Sequence, residues 1–278
     1  MSVKNDGRLG GIQIIVYLYV FKFFYHLKSF DMSGHNKWST IKRKKGALDQ
    51  KRSKIFSRII KEIMVAVKEG GNDPDGNARL RLALSNAKGA NMPKENIQRA
   101  LTKAEKDGAA MQEITYEGFG PHGIAFFIEC LTDNPQRSVS NIRAIFSKRG
   151  GSLGTNGSVA FMFERKGIIT VPQGNLDADE FQLEIIDSGV DDFEIQDETF
   201  VITTPMESFM AVQRKIESMG VTVENAELQR IPLETKTLDL ESAVKVLKLA
   251  EAFEEDDDVQ NVFHNLEVTE EMEAAMDE

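Results

Sequence analysis

Cysteine and histidine are scarce in this chain, and the scarcity excludes much of the chemistry that 278 residues could host. With one cysteine, Cys130, no intramolecular disulfide can form, which fits a reducing cytoplasmic setting. Cys130 lies in the apolar run 124–131, where a small buried hydrophobe is expected and not a reactive thiol. The four histidines (His26, His35, His122 and His264) stand far apart, with no His-x-x-x-His or Cys-His spacing, so no metal site is expected. No Gly-x-Ser-x-Gly nucleophile is present, and the carboxylates are scattered, not paired for acid–base work. Residues 150–158 are glycine-rich, but they run from helix to strand and lack the lysine of a phosphate loop, which excludes that mode of nucleotide binding. They read as a helix stop with a mobile turn, or as a close backbone approach to a large partner. No catalytic residue, metal, cofactor or small-molecule substrate is expected, and the chain does not read as an enzyme.

Long hydrophobic runs are missing too. The apolar stretch at residues 12–24 is shorter than the roughly 20 residues needed to cross a bilayer, and no small-x-small cleavage site follows it. Residues 1–31 can be an uncleaved anchor, a poor signal sequence, or upstream codons joined to the gene. The last is favoured, with Met32 as the native start and no membrane partner.

What the chain has is segregated charge. From Met32 to Lys61 there are ten cations (Lys37, Lys42, Arg43, Lys44, Lys45, Lys51, Arg52, Lys54, Arg58 and Lys61) against Asp49 alone. Residues 32–111 hold 18 basic and 8 acidic side chains, and residues 112–278 hold 12 and 34. Like charges repel within a compact body, so such separation points to a cationic module for a polyanion carried on an anionic frame. Lys37, Lys42, Arg43, Lys44, Lys45, Lys51, Arg52, Lys54 and Arg58 are the candidate phosphate contacts. Trp38, the single tryptophan, either stacks on a base, worth about 1–3 kcal/mol, or packs the arm against the helices behind it. A merely solvated face mixes signs more than Lys42-Arg43-Lys44-Lys45 does. A localisation signal is another use for such a run.

The pattern along the chain predicts an α+β protein. Ile55, Ile59, Ile63 and Val67 recur at helical spacing through residues 49–68, and Gly70-Gly71 ends that helix. Two further helices, near residues 77–88 and from Pro93 onward, complete a three-helix bundle. Strands follow around the turn 118–123, then a helix over 136–149 and a strand over 158–165. Residues 168–232 run strand–helix–strand–strand–helix–strand, a ferredoxin-like order. This unit lacks the paired aromatics and basic residues of RNA-recognition modules of the same topology. A last helix (240–253) and strand (262–268) lack a sheet of their own and are expected to return to the first one, leaving a frayed acidic tail at 270–273. The expected organisation is an extension (1–31), a basic helical domain (32–111), a middle α+β domain (112–167 with 233–278) and an inserted ferredoxin-like domain (168–232).

Several segments together carry a family resemblance. Residues 32–47 (MSGHNKWSTIKRKKGA), Lys54-Ile55-Phe56-Ser57-Arg58, Gly70-Gly71-Asn72-Asp73-Pro74 and residues 90–97 (ANMPKENI) are four of them. Tyr116-Glu117-Gly118, Gly150-Gly151-Ser152-Leu153-Gly154 and Gly157-Ser158-Val159 are the others. From 32 to about 270 the chain resembles the YebC-type proteins, and residues 1–31 have no counterpart in that pattern. The resemblance implies a cytosolic bacterial protein of three domains, one nested in another, with a non-enzymatic role in gene expression. The family was first read as DNA-binding transcriptional regulators. Other members, a mitochondrial translational activator among them, act with the ribosome at difficult stretches such as polyproline. The expected partner is therefore nucleic acid, either DNA at a regulated gene or, as the alternative, rRNA in the ribosome. No helix-turn-helix signature is visible, so the cations are expected to position a nucleic acid without specifying its sequence.

Overall fold

The structure is a computed structural model that describes residues 48–106, 111–196 and 198–276. It opens with α1 (Leu48–Gly70), α2 (Ala78–Gly89) and α3 (Lys94–Lys106). The helical spacing of apolar residues delivers Ile63, Ala66 and Val67 of α1 to a shared core with Leu80 and Ala83 of α2 and Ala100 of α3. Ile55, the first member of the predicted stripe, lies beyond that core and is 39% exposed. Asn77 sets the α1–α2 corner. Its side-chain oxygen caps α2 by accepting from Leu80 N at 3.0 Å, and its amide donates to Ala66 O at 2.6 Å and Gly71 O at 2.8 Å at the end of α1.

Two four-stranded antiparallel sheets follow. The first has the order β3-β1-β2-β8, from β1 (Gln112–Phe119), β2 (Ala125–Thr132), β3 (Ser152–Leu153) and β8 (Val259–His264). The helices α4 (Pro135–Lys148) and α7 (Leu240–Glu254) pack together on it. Phe126, Phe146 and Phe253 meet there at centroid separations of 4.6–6.2 Å, edge-on or tilted, as ring quadrupoles favour. The late strand β8 returns to pair with β2 after the chain has built a second sheet in between.

That second sheet has the order β5-β6-β4-β7: β4 (Phe163–Pro172), β5 (Asp192–Gln196), β6 (Thr199–Pro205) and β7 (Asn225–Pro232). With α5 (Ala178–Ile186) and α6 (Phe209–Ser218) it is ferredoxin-like. Its core joins Ile169, Val171, Phe200 and Ile202 of the sheet to Phe181, Ile185, Phe209, Val212 and Ile216 of the helices.

Two details differ from the sequence expectation. Residues 158–165 do not form a strand of the first sheet. Ala160–Met162 is a turn of 3-10 helix, and Phe163 begins β4, which pairs without a break with β7 from Phe163↔Pro232 to Thr170↔Asn225. The alternation of Val159, Phe161 and Phe163 misled because a 3-10 turn also spreads neighbouring side chains, and Phe161 ends 72% exposed. β4 therefore runs across the expected boundary at 167/168. At the far end, Glu270–Ala274 forms a short helix, α8, and Met272 is buried, so this stretch is anchored and not frayed.

Helix α2 is fastened to the second sheet. The Asn86 amide donates to Ala226 O at 2.8 Å and its oxygen accepts from Ala226 N at 2.9 Å, as a neighbouring strand would. Gly89 permits the approach, since a Cβ there would lie 1.9 Å from the carbonyl oxygen of Glu224.

Candidate nucleic-acid interface

Most of the candidate phosphate contacts (Lys37, Trp38, Lys42, Arg43, Lys44 and Lys45) lie outside the described residues, as does the extension 1–31. Lys51 falls in the first turn of α1. Arg52 is exposed, its guanidinium 5.3 Å from the Phe56 ring centroid and 3.4 Å from the carbonyl of Asn91, so the side chain is steadied while its charge faces water. Lys54 is half-buried and forms no ion pair with a described residue.

Further along α1 the cations turn inward. Arg58 donates to Glu254 O at 3.3 Å, at the C-terminal end of α7, where the helix dipole favours a positive charge. Lys61 donates to Asp257 O at 2.6 Å and to Leu131 O at 3.3 Å, and its ammonium is 3.8 Å from the Asp258 carboxylate. Asp258 is 4% exposed and is also held by Arg137 Nη2 at 2.9 Å and Thr132 Oγ1 at 2.9 Å. The acidic loop 254–258 is thus a socket for one end of the basic helix. Arg79 of α2 adds a second fastening: it binds Glu62 at 3.0 Å and Glu69 at 2.9 Å on α1, and also Glu113 on β1.

A second group of exposed cations was missed by sequence reasoning, although a simple signal marks it. Residues 134–163 contain four cations and no Asp or Glu, the longest carboxylate-free run in the chain, inside a half that is otherwise strongly acidic. Of the four, Arg137 is consumed by Asp133 and Asp258. Arg143, Lys148 and Arg149 are exposed and form no ion pair with a described residue.

The glycine-rich loop follows α4 directly, and Glu117 of β1 pins it. The main-chain oxygen of Glu117 accepts from Gly154 N at 2.7 Å. Its carboxylate, 3% exposed, accepts from the backbone N–H groups of Gly157 at 2.6 Å, Val159 at 2.7 Å and Ala160 at 2.9 Å. Burial opposes ionisation here, but the three donors outweigh it and hold the carboxyl below the usual carboxylate range. The glycines serve this contact: a Cβ on Gly118 would lie 2.5 Å from Ser152 O, and one on Gly151 would lie 2.7 Å from Phe119 O. The close backbone approach anticipated for the loop is therefore made to the protein's own β1. The tip, Thr155-Asn156-Gly157, stays exposed.

No catalytic constellation emerges from the described residues. No group of three or more His, Cys, Asp or Glu among them is placed to hold a metal ion, and no described helix is long and apolar enough to cross a membrane. Cys130 is buried and its thiol is pushed up to about 12, chiefly by burial. His264 is buried against Phe126 and its pKa falls to about 4, again through burial.

Comparison with known proteins places this architecture. Residues 36–107 match the profile described as the TACO1/YebC protein N-terminal domain, and residues 111–266 match that of the TACO1/YebC second and third domain. The chain belongs to the TACO1/YebC family. It is 47% identical over 244 residues to a "Probable transcriptional regulatory protein" of Rubrobacter xylanophilus, spanning 87% of this chain and 98% of the relative. It is 46% identical over 250 residues to a protein of the same description from Chlorobaculum tepidum, spanning 89% of this chain and 100% of the relative. The crystal structure of a conserved hypothetical protein from Aquifex aeolicus superposes with a TM-score of 0.75 at 42% identity, covering 83% of this chain and 96% of that one.

Proposed function

We propose that this chain is a cytoplasmic, non-enzymatic, nucleic-acid-binding regulator of gene expression, acting on DNA as a transcriptional regulator. The observation that carries the reading is the charge division: 18 basic against 8 acidic side chains in residues 32–111, and 12 against 34 in residues 112–278. A phosphate polymer is drawn to the first part and repelled by most of the second, which orients it on the molecule. Relatives described as transcriptional regulators support the same role. In this reading Lys37, Lys42, Arg43, Lys44, Lys45, Lys51, Arg52 and Lys54 meet phosphates, with Trp38 beside them. Arg58, whose guanidinium already serves Glu254 O, contributes mainly to holding α1 in place. The domain division that goes with it is the expected one with its inner boundary moved to the start of β4: 32–111, 112–162 with 233–278, and 163–232.

A second reading, a translation factor bound to rRNA on the ribosome, draws on the acidic body, because an anionic surface suits basic ribosomal proteins better than it suits a DNA duplex. Crosslinking the protein in cells and sequencing the attached nucleic acid decides between them: reads concentrated at promoters support the first, and reads concentrated on rRNA support the second. Replacing Lys42, Arg43, Lys44 and Lys45 with alanine is expected to weaken binding. It is also expected to flatten the salt dependence by a log–log slope of up to about 0.7–0.9 for each phosphate that is no longer neutralised. Wild-type binding by that variant at every salt concentration would remove the assignment.

A further inference from the structure

The geometry points to a second, separate nucleic-acid contact, built from the end of α4 and the loop that follows it and suited to a single strand. This inference rests on the nucleic-acid reading above and extends it to a part of the molecule outside the basic N-terminal module. Three observations converge. The first is charge: Arg143, Lys148 and Arg149 stand exposed, without ion pairs among the described residues, inside the 30-residue run 134–163 that lacks any carboxylate. In a half with 34 acidic side chains, this run adds no negative charge of its own. The acidic loop does reach α4, where Asn141 donates to Asp256 at 2.9 Å and Arg137 pairs with Asp258, so the cations left for a phosphate are Arg143, Lys148 and Arg149.

The second is an aromatic ring with no packing duty. Phe161 is 72% exposed, yet it sits on the short 3-10 turn that continues directly from the loop. A single exposed apolar side chain is ordinary on a protein surface, but this one is aromatic and follows a loop that carries free cations, and a base offers the flat apolar face that fits it.

The third is rigidity. Four bonds from Glu117 fix Gly154, Gly157, Val159 and Ala160, and Gly151 N is held by Phe146 O. The loop and the turn bearing Phe161 are thereby set before any ligand arrives, which lowers the ordering cost of binding. Stacking on Phe161 requires an unpaired base, so the occupant is single-stranded RNA or DNA, with phosphates on Arg143, Lys148 and Arg149 and a base on the ring.

The test uses the full chain and fluorescently labelled oligonucleotides of roughly 20 nucleotides, longer than the ~4–16-nucleotide footprint of one single-strand module. They are presented as single-stranded RNA, single-stranded DNA and duplex DNA over a range of salt. Two variants are compared with wild type: Arg143→Ala/Lys148→Ala/Arg149→Ala, and Phe161→Leu, which keeps apolar bulk and loses the ring. The triple variant is expected to lower the single-strand salt slope by up to about 2. Phe161→Leu is expected to weaken single-strand affinity about 5- to 100-fold and leave duplex affinity unchanged. Tighter binding of RNA than DNA, or the reverse, names the natural strand. If both variants bind single strands as wild type does, while the Lys42–Lys45 alanine variant loses affinity, this second site is refuted and the N-terminal reading stands. If wild type binds none of the oligonucleotides, both readings fail together.

Discussion

The ammonium of Lys61 donates to the main-chain oxygen of Asp257 at 2.6 Å, so a lysine from the most basic segment of the chain is spent on its most acidic loop. This bond, with that from Arg58 to Glu254 O, fastens α1 to the end of α7. Lys61→Ala removes a partly buried charged donor from two carbonyls and leaves Asp258 to Arg137 and Thr132. It is expected to destabilise the fold by about 1–3 kcal/mol, read as a lower urea midpoint at unchanged slope. A midpoint equal to wild type would mean that the contact is idle in solution.

Glu117 gives a pH-dependent prediction. Its folded carboxyl titrates below the ordinary 4.5 because three backbone donors favour the charged form more than burial disfavours it. A group depressed in this way adds stability that is fully present above its unfolded value and is lost as pH falls through the folded value. Glu117→Gln is expected to cost about 1–3 kcal/mol near neutrality, where wild type holds all three N–H groups. The gap should narrow in acid, once the wild-type carboxyl is protonated. Urea midpoints measured from about pH 7 to about pH 3 check this, and a constant gap would count against it.

Gly89→Ala tests the junction between bundle and insert. The added methyl would meet the main chain of Glu224 at 1.9 Å, and backbone on both sides leaves little room to yield. A loss of about 1–3 kcal/mol is expected, with faster amide exchange at Ala226, whose N–H is held by Asn86. Unchanged exchange at that amide would show that the two elements are not pressed together.

Cys130 should be chemically silent in the native protein. Its thiol is buried in β2 and pushed up to about 12, so almost no thiolate exists at neutral pH. Labelling by a thiol reagent is expected to proceed only at the rate of opening of the first sheet. Prompt labelling without denaturant would contradict the burial.

The elements with strong periodicity were legible in the sequence. The stripe through Ile59, Ile63 and Val67 gave α1, the order of strands and helices gave the ferredoxin-like insert, and the orphaned last helix and strand gave the return to the first sheet. Val159, Phe161 and Phe163 failed because alternation over a few residues does not separate a strand from a 3-10 turn that leads into one. For the candidate interface, counting cations singles out residues 32–61, and counting missing carboxylates singles out residues 134–163. The inward turn of Arg58 and Lys61 could not be read in advance, because it depends on partners some two hundred positions away, main-chain oxygens among them. Glu117 was likewise hidden: its position in Tyr116-Glu117-Gly118 says nothing of the three amides that converge on it.

Asn86 takes hold of both main-chain groups of Ala226, and Ala226 lies on β7, paired in register with Ile169 at the centre of the neighbouring strand. Force applied to α2 is therefore delivered to the backbone of the insert and not to a yielding side chain. Any displacement of the bundle would load the ferredoxin-like sheet as well.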